Sequence, residues 1–191
     1  MLPIVTIPAP SLRERSREID RRFVLLPETQ RFIAALIPAM YHYDGIGLAA
    51  PQAGNNIRVC VIGKYALHRD ERPGDDNQET TDETDLVLVN PSYRRLSKKT
   101  TADTEGCLSV PGYYGTVKRH KDILVTALTQ QGETIEFEAH NFFARVIQHE
   151  VDHLDGILFI DRAKDIYEVE HPTKAERGLT WEVMKKNRQP V

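Results

Sequence analysis

Apolar residues recur at helical spacing in two stretches of the chain, and alternate or run together in four others. From Pro27 to Tyr43, the residues Phe32, Ile33, Leu36, Ile37, Met40 and Tyr41 form one stripe, which predicts an amphipathic helix. Pro38 interrupts that stripe, removes one backbone hydrogen bond and predicts a kink or a division of the helix there. The second helical stretch starts at Asn141, a suitable N-cap, and carries Phe143, Val146, Ile147, Val151 and Leu154 before Gly156 ends it after about four turns. Ile57 to Ile62 and Leu86 to Val89 read as strands, with Asn90-Pro91 as a terminator. Asp122 to Thr129 and Thr134 to His140 alternate like the arms of a hairpin with Gln131-Gly132 in its turn. Strands followed by one late helix predict an α+β fold, with antiparallel β-sheets packed around a central helix.

No internal repeat or second domain is visible, so residues 1–165 read as one domain and 166–191 as a C-terminal extension, with a short helix near Trp181 and Met184. Arg69 to Asp85 is polar, acidic and nearly free of large apolar groups, which predicts an exposed, mobile loop. With 191 residues, 40% of them hydrophobic, and two cysteines, the chain can bury a single core without disulfides. Met1 to Pro10 lacks a basic segment followed by a long apolar one, and no run approaches the ~18 apolar residues of a membrane span. The net charge of −3 gives no reason to expect nucleic-acid binding. The expectation is a cytoplasmic enzyme with no membrane and no specific nucleic-acid partner.

Candidate chemistry concentrates in the late helix, in Gln148-His149-Glu150-Val151-Asp152-His153-Leu154. Residues four apart share a helix face, so His149 and His153 can hold one divalent ion. Glu150 is turned roughly 100° from His149 and can instead reach a water at the open position of that ion, where a general base is needed. Phe142 and Arg145 lie on the same stripe as the two histidines. Arg145 either borders a substrate pocket or points outward to a surface acid. A third ligand is required, and Cys107 is the leading candidate, since Gly106 before it permits close approach of another element. Cys60, inside Val59-Cys60-Val61-Ile62, reads as a small buried core residue. Mixed thiolate and imidazole ligands suit zinc, iron, cobalt or nickel.

Three separated segments, Gly45-Ile46-Gly47-Leu48-Ala49-Ala50-Pro51-Gln52, Glu105-Gly106-Cys107-Leu108-Ser109 and Gln148 to Leu154, together resemble the peptide deformylase family, with similarity from about Leu12 to Arg162. The resemblance implies removal of the formyl group from the formyl-methionine of newly made proteins, releasing formate. It implies Cys107, His149 and His153 as metal ligands, Glu150 as acid and base, and Gln52 with the Leu108 amide as the groups that stabilise the oxyanion. Ile46, Gly47 and Gly106 match backbone positions that pair with the peptide as an added strand. Ferrous iron is the implied physiological ion, with Zn2+, Ni2+ or Co2+ able to occupy the purified protein. Formyl-methionyl nascent peptides are the implied partner; transient ribosome contact through Lys185-Lys186-Asn187-Arg188 is weaker than reading that cluster as solvated surface. This chain departs from many bacterial members at Pro111-Gly112-Tyr113-Tyr114-Gly115, where they carry charged or polar residues.

Two competing readings use the same residues. A metallopeptidase would share the base and metal but cut internal amides, and its usual third ligand is His or Glu rather than Cys. A scaffold with a structural metal would need a fourth protein ligand, and none is obvious near Cys107.

Overall fold

The computed structural model describes residues 1–68 and 84–169. Along the chain, α1 (Arg21–Val24) and α2 (Pro27–His42) precede β1 (Gly47–Ala49), a 3-10 turn (Ala50–Ala53), β2 (Val59–Ile62) and α3 (Lys64–His68). Then come β3 (Leu86–Arg95), β4 (Thr100–Cys107), β5 (Val110–His120), β6 (Asp122–Leu128), β7 (Thr134–His140), α4 (Asn141–Leu154), α5 (Phe159–Arg162) and β8 (Ile166–Glu168). One sheet has the order β1-β2-β3-β6-β7, the other β4-β5-β8, and every pairing between these strands is antiparallel. The expected α+β architecture is what the chain adopts.

The unbroken apolar run of β2 follows from burial on both faces of the first sheet. Side chains alternate across a strand, so Cys60 and Ile62 pack with Leu88, Ile123, Val125, Ile147, Val151 and Leu154 on the α4 side. Val59 and Val61 pack with Val87, Val89, Ile33, Leu36 and Met40 on the α2 side. Cys60 is therefore a core residue, as its run suggests, and burial pushes its thiol pKa up. Toward the far edge α2 no longer covers the sheet, and β7 shows the alternation of a half-buried strand: Ile135, Phe137 and Ala139 face the core while Thr134, Glu136 and Glu138 do not.

Several local expectations change. The helix from Pro27 is a single element through Pro38, divided nowhere, because Ile33, Leu36, Ala39 and Met40 hold it to the sheet on both sides of the proline. Asn90-Pro91 does not end its strand. Asn90 takes a left-handed φ of 51°, the register shifts between Val89 and Ser92, and β3 continues to Arg95. The Asn90 side chain secures this bulge by accepting from the Ile19 N–H at 2.9 Å and donating to the Ile19 carbonyl at 2.8 Å. Asn141 does not cap α4. His140 occupies the cap position, and Asn141, at φ 47°, gives its N–H to the Lys121 carbonyl. Gly156, at φ 73°, follows the helix end as expected. The expected loop over Arg69 to Asp85 and the helix near Trp181 fall, except for a few flanking residues, outside the described residues.

Candidate active site

The second sheet delivers Cys107 to α4. Along β4, Glu105 and Cys107 point to the same side and both meet the motif helix. The ligand atoms of Cys107, His149 and His153 lie within 4.8 Å of one another, the span that donors to one ion require. Cys107 Sγ is 3.2 Å from Nε2 of His153, and it receives the Ser109 backbone N–H at 3.4 Å and the Gln52 Nε2 at 3.5 Å. One thiolate sulfur and two imidazole nitrogens fit a divalent transition metal. Among the described residues the cluster offers no fourth His, Cys, Asp or Glu donor, as an open catalytic position needs.

Glu105 orients the first histidine. Its carboxylate lies 2.9 Å from Nδ1 of His149, so that nitrogen donates to it and Nε2 is left for the ion. Glu105 also accepts from Arg119 at 2.9 and 2.8 Å and from Arg145 at 2.7 Å. Burial alone would raise the Glu105 carboxyl, but hydrogen bonds from Arg119 and His149 outweigh it and hold its pKa well below the carboxylate range. Arg119 in turn bonds Asp152, which Arg162 grips at 2.6 and 2.7 Å. A chain of alternating charges thus runs from the metal site to the surface. Burial holds the His153 pKa well below the ordinary imidazole value, which favours the neutral ring a metal needs. For His149 burial also opposes the proton, yet contacts with Cys107 and Glu105 raise its pKa well above that value.

Arg145 settles into neither sequence expectation fully. It is buried, not directed to a surface acid, and although it borders the cleft its guanidinium is committed to Glu105 and to the Val117 and Thr101 carbonyls. Glu105, Arg119 and Asp152 were not singled out from sequence. The only signals were the acid two residues before Cys107 and the second acid inside the histidine motif.

Glu150 is buried, and burial pushes its pKa up to about 7. Its Oε2 has no hydrogen-bond partner among the described residues, while Oε1 lies where a side chain on Gly47 would go, 2.3 Å from the position of a Cβ there. Gln52 is only 2% exposed, which excludes a solvated loop position. Its Oε1 accepts the Ala49 N–H at 2.8 Å, fixing the amide so that Nε2 points to Cys107 and to the Ser109 hydroxyl at 3.2 Å.

These groups line a cleft of about 450 Å³. Ile46, Gly47 and Gln52 form one side of it, Thr104 to Leu108 the other, and Phe142, Val146, His149 and Glu150 of α4 the floor. β1 and β4 are end strands of their sheets, so two open strand edges flank the cleft. The Ile46 carbonyl accepts the Gly63 N–H at 2.8 Å. Alternation along β1 then turns the backbone of Gly47 toward the cleft.

The model of the family described as polypeptide deformylase matches residues 1–168. A peptide deformylase of Desulforudis audaxviator is 38% identical over 164 residues, covering 86% of this chain and 94% of that protein. Peptide deformylase 3 of Shewanella oneidensis is 41% identical over 162 residues, 84% of this chain and 88% of the relative. Among solved structures, the class I type b peptide deformylase of Acinetobacter baumannii with Met-Ala-Ser bound superposes with a TM-score of 0.72 at 32% identity, over 85% of this chain and 98% of that one. The Thermotoga maritima peptide deformylase gives 0.73 at 33%, over 86% and 99%. No helix among the described residues is long and apolar enough to cross a membrane. A Cys/His/His cluster beside a buried glutamate, on a fold shared with these relatives, is thus explained by descent: the chain belongs to the polypeptide deformylase family, metal-dependent enzymes that remove the N-formyl group from nascent proteins.

Proposed function

We propose that Cys107, His149 and His153 bind the catalytic ion and that Glu150, Gln52 and the Leu108 backbone N–H carry the deformylation of formyl-methionyl peptides. The observation that supports this most strongly is the unpartnered Oε2 of the buried Glu150, next in sequence to one of three converging metal donors. Cys107, His149 and His153 would hold a divalent ion, which would supply Lewis acidity to polarise the formyl group and activate water.

Glu150 accepts the proton of the attacking water and returns it to the amine as the C–N bond breaks, leaving formate and a free amino terminus. A pKa near neutrality suits both transfers. Negative charge grows on the carbonyl oxygen during attack, and the Gln52 Nε2 and Leu108 N–H are assigned to meet it. Gly47 and Gly106 offer backbone groups to a peptide lying as an added strand between β1 and β4, with Ile46 beside them. Ile46, Phe142 and Val146 receive the methionine side chain. The Met-Ala-Ser bound to the Acinetobacter relative supports a methionine-led peptide in this cleft.

Ferrous iron is the physiological ion in this reading, and Zn2+, Ni2+ or Co2+ fit the same donors. A ferrous centre with a thiolate ligand suits the reducing cytoplasm. The catalytic domain spans 1–165 in this reading, and the extension from 166 opens with β8, which pairs with β5 of its second sheet. Formate release from formyl-Met-Ala-Ser by anaerobically prepared, iron-loaded protein tests the reading. Activity should disappear on chelation and return with metal. Cleavage of internal amides in unformylated peptides would favour a metallopeptidase instead.

A further inference from the structure

We propose that Tyr114 is a specificity-determining residue that recognises the side chain following methionine and favours aromatic and large apolar residues there. The inference rests on the substrate pose above, with the peptide added along the open edge of β4.

Gly106 and Tyr114 are directly paired across β4 and β5. Cross-strand partners present their side chains on the same face of a sheet, and Gly106 has none, so the tyrosine ring lies across it. A Cβ on Gly106 would stand 2.4 Å from Tyr114 Cε1 and 2.6 Å from Cδ1. The ring is buried on one side by Tyr167 of β8, stacked at 6.1 Å between centroids and 26° between planes, and in register with Tyr114. Only 7% of Tyr114 is exposed, and it is among the residues lining the substrate cleft.

Alternation assigns the substrate position. Glu105 and Cys107 face α4 and the metal donors, so Gly106 and Tyr114 face the opposite way. The methionine side chain enters the apolar floor on the α4 side, among Ile46, Phe142 and Val146. The next residue of an extended peptide turns its side chain to the other face, where it meets the exposed edge of the Tyr114 ring that covers Gly106. An aromatic ring supplies stacking and apolar contact to a large side chain, and little to a methyl group.

The test compares kcat/KM for formyl-Met-Phe-Ser and formyl-Met-Ala-Ser with full-length, metal-loaded protein. The phenylalanine peptide is expected to be preferred about fivefold, the scale of one aromatic contact. Tyr114→Phe should keep that ratio, and both Tyr114→Leu and Tyr114→Ala should bring it near one. A ratio near one in the unaltered protein, or a ratio preserved in Tyr114→Leu, overturns the assignment, and neither result needs the alanine variant to fold. Absence of formate from both peptides would overturn the active-site reading itself, whereas formate release without selectivity sinks only the role of Tyr114.

Discussion

The Glu105 carboxylate sits 2.9 Å from Nδ1 of His149 and is held there by two buried arginines, Arg119 and Arg145. The His149 ring is thereby fixed in tautomer and orientation by a residue on β4, two positions before Cys107. Glu105→Gln keeps the shape but removes the charge that accepts from all three donors. Weakening such an outer partner typically lowers metal affinity about 10–100-fold. Competition with a graded chelator should show a drop of that order, and unchanged affinity would contradict the orienting role.

Acid stability should report the same carboxylate. Its pKa is lower in the folded protein than in the unfolded chain, so the folded state binds fewer protons at this site. The stabilisation is complete above the unfolded value of about 4.3 and is lost as pH falls below it toward the folded value. Urea midpoints of metal-free protein should fall between pH 6 and pH 3, and Glu105→Gln should flatten that dependence. Parallel curves for the two proteins would count against it.

Gly47 is kept small by the Glu150 carboxylate. A methyl group there would come within 2.3 Å of Glu150 Oε1 and 2.8 Å of its carboxyl carbon. Gly47→Ala must displace the carboxylate or the edge of β1, and overpacking of this kind costs about 1–3 kcal/mol. The expected result is a lower melting temperature and a large fall in kcat at unchanged metal content. A fully active Gly47→Ala protein would show that Glu150 need not occupy its present place.

Gln52 is held at both ends of its amide, by Ala49 and by Ser109. Gln52→Ala removes a preorganised donor, a loss typically worth ~10²–10³ in rate. Steady-state kinetics should show that fall mainly in kcat, with the ion still bound. An effect confined to KM would assign Gln52 to substrate binding alone.

Both main helices and the hairpin of β6 and β7 were legible because each buries one face, which leaves a period of 3.6 or 2 in the sequence. The β4–β5 hairpin was not. Its strands carry mixed polar sequences, TTADTEGC and VPGYYGTVKRH, because one face holds buried charges rather than apolar side chains. The clustering of Cys107, His149 and His153 was legible from residue type, from the helical spacing of the histidines and from the family resemblance at Cys107, since few side chains ligate transition metals. The charges behind them were not, because Glu105, Arg119, Arg145 and Asp152 look like surface residues until the fold brings them together in the interior. Asn90-Pro91 misled for a related reason: a left-handed asparagine and a proline end most strands, but a bulge pinned to Ile19 allows β3 to continue.

The division of labour between Glu150 and its neighbours is tested most directly by measuring metal content and formate release together in Glu150→Gln and Cys107→Ala, using formyl-Met-Ala-Ser as substrate. The Glu150 variant should retain one ion per chain and lose at least ~10²-fold in kcat, the range of a missing general base. The Cys107 variant should lose the ion as well as the activity. A Glu150→Gln protein that carries its ion and releases formate at the unaltered rate would contradict the account.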